Sequence, residues 1–187
     1  MKETKTNTDF KLREIQLSDA TDIFNIIDRD REYLREWLPF VDITKKTEDT
    51  EAFIRLVKSK GTEHDEVYVI LSGEKIAGLI SYKGKDKFNH KIEIGYWLAK
   101  NLQGNGFVTR SCILLINNAF EFMGMNRVQI KVGVKNKKSA AVPKRLNFTF
   151  EGIERDGEYL NGVYIDLEVY SVLKRDWNKT KTGYEAF

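Results

Sequence analysis

Ile92-Glu93-Ile94-Gly95-Tyr96-Trp97-Leu98, followed shortly by Gln103-Gly104-Asn105-Gly106-Phe107-Val108-Thr109, is the stretch whose reading decides the fold. It predicts a strand, a loop with two glycines and then a long amphipathic helix. On that helix Val108, Cys112, Leu115, Ala119 and Phe122 recur at helical spacing, and Gly124 is the stop. A loop that leads backbone N–H groups into a helix start suits an anion, because unpaired donors and the positive end of the helix dipole point the same way. The same two glycines also suit a plain surface turn. Two other phosphate loops fit badly. A P-loop needs Lys-Ser/Thr where this chain has Phe107-Val108, and the dinucleotide fingerprint needs a third glycine where it has Thr109.

Upstream, residues 10–15 alternate like a strand, and Ser18 with Asp19 starts a helix to about Arg31. Residues 32–38 predict a short helix stopped by Pro39, and residues 47–60 a longer one with Ala52, Phe53, Leu56 and Val57 on its apolar face. Residues 67–71 and 76–82 form a hairpin through Ser72-Gly73-Glu74-Lys75, and 91–98 is the next strand. Downstream come a strand at 127–134, a helix at 136–146, and strands at 149–154 and 163–173, the last preceded by the turn signal Asn161-Gly162. Helices first, then antiparallel hairpins, then strand-helix-strand-helix, predict an α+β fold with a mixed sheet rather than a doubly wound one.

The length of 187 residues suits one domain, expected over residues 10–174, with residues 1–9 and 178–187 as flexible termini and the chain fraying from Trp177. With 41% apolar residues, 12% aromatics and two prolines the chain is of globular type. No apolar run approaches the roughly 20 residues that span a bilayer, and the polar first ten residues carry no secretory signal, so no membrane partner is expected. The single cysteine, Cys112, excludes an internal disulfide and fits a cytoplasmic protein; on the apolar stripe it reads as a buried thiol rather than a nucleophile. His64 and His90 have no ligand spacing around them, so no metal is expected. A net charge of +3 is too mild to argue for nucleic acid. Lys135, Lys137, Lys138, Lys144 and Arg145 nevertheless cluster, either as a solvated helix face or as a rim attracting cofactor phosphates or an RNA-rich partner.

Gln103, Gly104, Asn105, Gly106 and Phe107 resemble the acetyl-CoA pyrophosphate loop of the GNAT acetyltransferases, with Val108 in place of the usual small residue. The element order is similar to theirs over roughly residues 10–174. Three more stretches resemble the RimJ/RimL-type branch, which acetylates N-termini of ribosomal proteins: Tyr33-Leu34-Arg35-Glu36-Trp37-Leu38-Pro39-Phe40; Asn136-Lys137-Lys138-Ser139 through Pro143 to Phe148; and Arg155-Asp156-Gly157-Glu158-Tyr159-Leu160-Asn161-Gly162, with Asp166 and Tyr170 beyond. Asn147 stands where the branch has glycine, and Asn tolerates a left-handed helix end. The resemblance implies a mostly antiparallel, twisted sheet of about seven strands flanked by helices. It also implies acetyl-CoA as co-substrate, held by Trp97, Leu98, Gln103 to Thr109 and Asn136. The acceptor it implies is a protein N-terminus, with ribosome association and a homodimer as further expectations.

The implied reaction is attack of an amine on a thioester, which needs a neutral amine, donors for the oxyanion and a proton for the thiolate. An α-amine of pKa about 7.7–8.0 is roughly a tenth neutral at pH 7, a lysine only about 0.04%, so an N-terminal acceptor needs a modest base. Glu93 is the candidate base, or else a strand carboxylate paired with a cation such as Lys91; Asp166 and Glu168, sharing one face of their strand, are its rivals. By the resemblance, the Trp97 backbone N–H is the oxyanion donor, Asn136 a cofactor contact as well as an N-cap, and Ser139 the group acting on the leaving sulfur, either by hydrogen bonding or through water. Pro143 removes the helical bond to the Ser139 carbonyl. Tyr33 and Trp37, four apart, either wall the acceptor groove or pack in the core, with Asp166 as a further acceptor contact. Two other functions stay open: acetylation of a small amine such as a polyamine or amino sugar, and a catalytically silent CoA-binding or RNA-associated module.

Overall fold

The computed structural model describes residues 10–59 and 66–180, with side chains as far as Trp177. The expected flexible end 1–9, residues 181–187 of the expected flexible end 178–187, His64 and the last residue of the predicted 47–60 helix lie outside the described residues. Strand β1 (Phe10–Glu14) leads through a 3-10 turn into helices α1 (Ala20–Arg29) and α2 (Arg31–Leu34). α2 stops before the expected residue 38, because Pro39 has started a separate 3-10 turn at Pro39–Asp42. Helix α3 (Thr47–Ser59) precedes β2 (Val67–Ser72), which turns through Gly73, at φ 61°, into β3 (Lys75–Asp86). β4 (Lys91–Leu98) follows, then α4 (Phe107–Glu121), β5 (Arg127–Gly133) and α5 (Lys137–Arg145). β6 (Thr149–Leu160) and β7 (Val163–Leu173) form a long hairpin over Asn161-Gly162, both at positive φ, and α6 (Lys174–Thr180) closes the described chain.

The seven strands form one sheet in the order β1-β2-β3-β4-β5-β7-β6. Every neighbouring pair is antiparallel except β4 and β5, which α4 connects as a crossover. The parallel pairing is short. It runs from Lys91↔Arg127 to Glu93↔Gln129 and ends there, while β4 stays paired with β3 as far as Leu98. The sheet therefore opens between β4 and β5 beyond Glu93, along the edge of β4 that leads to the glycine loop.

Alternation along the strands sends side chains to two cores. Ile80, Tyr82, Ile92 and Ile94 pack on Cys112 and Ile116 of α4, with Leu146 and Tyr170 in the same cluster. Val69, Leu79 and Trp97 pack on Ile23 and Ile27 of α1 and Ile54 of α3. Three expectations about burial are corrected. On α3 the buried residues are Thr50 and Ile54, while Ala52, Phe53 and Leu56 are exposed. Phe122 is 79% exposed, since α4 ends at Glu121 and Phe120 takes the buried position. Trp177 does not begin a fraying tail: it is 1% exposed and donates its indole N–H to Asn117 Oδ1 at 2.7 Å. Among the described residues no helix is long and apolar enough to cross a membrane.

Candidate active site

A cleft of about 1330 Å³ follows the opening between β4 and β5. Its lining includes Tyr33, Trp37, Glu93, Trp97, Leu98, the whole run Gln103 to Thr109, Asn136 and Ser139. It exceeds the roughly 300–1,000 Å³ of pockets for drug-sized ligands.

At one end lies the loop into α4. Gly104 and Gly106 hold φ of 78° and 74°, and a Cβ on either would meet nothing within 4 Å. Gly106 is the N-cap, has no side chain to occupy the first N–H groups, and is followed by a first turn without an acidic residue. The donors and dipole of α4 therefore face the cleft. Cations surround this end: Arg145 Nη1 donates to Thr109 Oγ1 at 2.9 Å, and the Arg110 guanidinium stacks over Phe10 and Phe107 at 4.6 and 5.3 Å. Gln103 bridges two elements, donating its amide to the Tyr33 hydroxyl and accepting from Lys138 Nζ at 3.0 Å. Burial holds the Tyr33 phenol above its ordinary range, so it stays a neutral hydrogen-bonding group.

Further along, α5 presents Ser139. Asn136 is its N-cap, Oδ1 accepting the Ser139 N–H at 3.1 Å. Pro143 sits inside α5, and the Tyr96 hydroxyl donates to the Ser139 carbonyl at 3.0 Å. Asn147 closes this segment at φ 55°, the left-handed end that glycine otherwise supplies.

The β4 edge supplies donors. Ala99 N–H donates to Ala77 O on β3, and the register Gly78↔Leu98, Leu79↔Trp97 is unbroken from there. Antiparallel strands alternate hydrogen-bonded and non-bonded pairs, so the Trp97 N–H faces β3 while those of Tyr96 and Leu98 face the opening. This corrects the expectation that Trp97 donates to an oxyanion; its indole instead packs in the α1 core at 9% exposure.

Two carboxylates line the cleft. Glu93 accepts from Gln129 Nε2 at 3.0 Å, across the last parallel pair. Glu158, to which the motifs assign no role, lines the same cleft. Burial, aided by the nearby negative charge of Glu93 and opposed by Lys83, holds its carboxyl above the ordinary range. A bulge puts it there: β6 places three residues between Glu154 and Glu158 against one on β7, between Leu167 and Ile165. Bulges re-aim side chains beside active sites. In the sequence, Arg155-Asp156-Gly157 reads as the end of the strand.

Asp166 is the second correction. Ile165 and Leu167 line the cleft, so the alternate residues Asp166 and Glu168 point to the other face. Asp166 is exposed and its Oδ1 accepts the Asp156 N–H at 2.9 Å, pinning the bulge. Glu168 accepts from the Tyr170 hydroxyl at 2.5 Å. Neither lines the cleft. Cys112 is fully buried and its thiol is pushed up by that burial, so it offers no thiolate. Among the described residues no group of three or more His, Cys, Asp or Glu could hold a metal ion.

A cleft that joins an open glycine loop at a helix start to a parted parallel strand pair, with Ser139, Glu93 and Glu158 in its lining, suits acyl transfer from a CoA thioester. Residues 9–149 match the family described as acetyltransferase (GNAT) domain, and the chain belongs to that family as an acetyl-CoA-dependent N-acetyltransferase. YdaF of Bacillus subtilis (strain 168) is 37% identical over 180 residues, covering 95% of this chain and 98% of its own. The RimL ribosomal L7/L12 alpha-N-protein acetyltransferase, solved in complex with coenzyme A, superposes with a TM-score of 0.82 at 28% identity, covering 89% of this chain and 94% of its own. The microcin C7 self-immunity acetyltransferase MccE, solved with acetyl-CoA and AMP, gives 0.83 at 31% identity, covering 90% and 94%.

Ser139→Ala is expected to reduce kcat by about tenfold or more, with little change in the KM for acetyl-CoA, if the hydroxyl acts only on the developing thiolate. Steady-state thiol release measures both constants. Normal turnover from a variant that merely melts earlier would leave Ser139 as a helix residue and nothing more.

Proposed function

We propose that this enzyme acetylates the α-amino group of a protein N-terminus, of the ribosomal-protein kind, by direct attack on the thioester. The observation carrying the reading is the opening between β4 and β5, whose cleft is lined by Ser139, Glu93 and Glu158 together. In this reading the pyrophosphate of acetyl-CoA lies on the first turn of α4. The Tyr96 and Leu98 N–H groups serve the oxyanion, Ser139 serves the sulfur, and Glu158, raised by burial, takes the amine proton with Glu93 beside it. Tyr33 and Trp37 wall the acceptor groove, where Trp37 already packs against Gly133. A RimL relative that acts on an α-amine supports this acceptor. Cytoplasmic location, ribosome association and a homodimer belong to the same proposal.

One observation favours a second reading, a small cationic amine: two carboxylates look into the acceptor side together. Lys83 stands beside them and offsets their charge, which makes the peptide reading the better one. The test is a peptide with a free N-terminus and an internal lysine, incubated with acetyl-CoA, digested and mapped by mass spectrometry, beside polyamine and amino-sugar arms. The α-amine should be acetylated faster than the ε-amine, by a margin narrowing as pH rises toward the lysine pKa of about 10.4. Label confined to lysine, or turnover with polyamines alone, would defeat the N-terminal assignment.

A further inference from the structure

We propose that Tyr96 is the positioning residue for Ser139, its phenol holding the serine oxygen at the opening while leaving the serine O–H free to turn and donate a hydrogen bond to the sulfur. The inference rests on the role given to Ser139 above. It starts from the proline. In a regular helix the N–H of residue 143 would bond the carbonyl of residue 139, but Pro143 has no N–H, so that carbonyl needs another donor. Tyr96 supplies it, reaching across from β4 with Oη 3.0 Å from Ser139 O.

A carbonyl only accepts, so the single phenolic proton of Tyr96 is committed to it. The second contact is then directional by elimination: Ser139 Oγ lies 3.3 Å from Tyr96 Oη, and the serine must be the donor. A hydroxyl pair at that separation is beyond the usual 2.5–3.0 Å range, roughly 0.5 Å longer than the commonest length. The serine proton is therefore weakly parked. When negative charge develops on a sulfur near Oγ, the charge-assisted bond to sulfur is the stronger one, and the proton turns toward it. An interaction weak at rest and strong in the transition state is the kind that raises kcat. Tyr96 cannot itself serve the sulfur, because its proton is held elsewhere. Burial holds the phenol well above its ordinary range, so it remains neutral throughout.

The proline also provides the test. Tyr96→Phe removes both contacts, whereas Pro143→Ala returns a backbone N–H to the Ser139 carbonyl alone. Four variants are compared by kcat, KM for acetyl-CoA and Tm: Y96F, S139A, Y96F/S139A and Y96F/P143A. Y96F is expected to lose about tenfold in kcat with KM nearly unchanged, and the double variant Y96F/S139A to be no slower than S139A, because residues acting as a unit are not additive. Y96F/P143A should recover Tm but not kcat, and it keeps the question answerable if Y96F folds poorly. Recovery of kcat by Pro143→Ala, or Y96F and S139A losses that multiply, would make Tyr96 a structural prop and overturn the proposal. A slow S139A beside a normal Y96F overturns it as well while leaving the Ser139 assignment intact. A fully active S139A instead removes that assignment itself.

Discussion

Glu158→Gln lowers kcat by about 10²–10⁴ in the expected outcome, with acetyl-CoA affinity almost unchanged, because the carboxylate acts on the amine and not on the cofactor. Burial raises the affinity of Glu158 for a proton, with Lys83 opposing and the charge of Glu93 adding to it. A base so tuned is better matched to an amine near neutral pH than an exposed glutamate would be. In the kcat profile the acidic limb set by the enzyme should therefore lie above the ordinary carboxylate pKa of about 4.3 and vanish in Glu158→Gln, whereas kcat/KM keeps the limb of the acceptor amine near about 7.7–8.0. Glu93→Gln carries a separate signature. Removing the neighbouring negative charge relieves part of what raises Glu158, so the acidic limb should move to lower pH while a limb persists. If Glu93→Gln instead abolishes the limb and Glu158→Gln keeps it, the base is Glu93, the residue the motifs single out. Full-length acceptor peptide and acetyl-CoA, followed by free-thiol release from pH 5 to 9, suffice for both variants.

These two glutamates also show what a sequence exposes and what it hides. Glu93 lies on β4, where Ile92 and Ile94 alternate with polar neighbours before the apolar run Tyr96-Trp97-Leu98 and the loop, and the observed strand is the expected Lys91–Leu98. The hairpin at Gly73 and the turn at Asn161-Gly162 are equally readable, since positive φ narrows the choice of residue. Glu158 is hidden because its strand is continuous only through a bulge. Asp156, at φ 50°, and Gly157 carry turn chemistry, and nothing local says that pairing resumes beyond them. Asp166 falls outside the cleft for a related reason. Alternation tells that Asp166 and Glu168 share a face, but which face meets the cleft depends on how β7 lies against β5. The Trp97 donor fails on the same parity, one residue along, since hydrogen-bond direction is a property of the strand pair. On α3, Ala52, Phe53 and Leu56 are apolar without being the contacts α1 selects, and Ile54 alone lies at 0% exposure.

The glycine loop sets the second large effect. Gly106→Val is expected to raise the Kd for acetyl-CoA by tenfold or more, about 1.4 kcal/mol per tenfold. Two causes act together. Gly106 is held at φ 74°, which costs an L-residue about 1–2 kcal/mol and a β-branched one more, so the loop relaxes away from its present path. The open space around the missing Cβ, with no atom within 4 Å, is also the space into which a phosphate must come to reach the first N–H groups of α4. Strain alone would give a false positive, and Gly124 provides the control. It too has positive φ, 69°, and a Cβ there would meet nothing within 4 Å, but it follows α4 at the end remote from the loop. Gly124→Val should lower Tm by a comparable amount and leave the Kd as it is. Calorimetric titration with acetyl-CoA on both variants, at a temperature where each is folded, separates backbone strain from lost anion binding. Equal affinities for Gly106→Val and Gly124→Val would reduce Gln103 to Thr109 to an ordinary turn and move the cofactor phosphates elsewhere in the cleft.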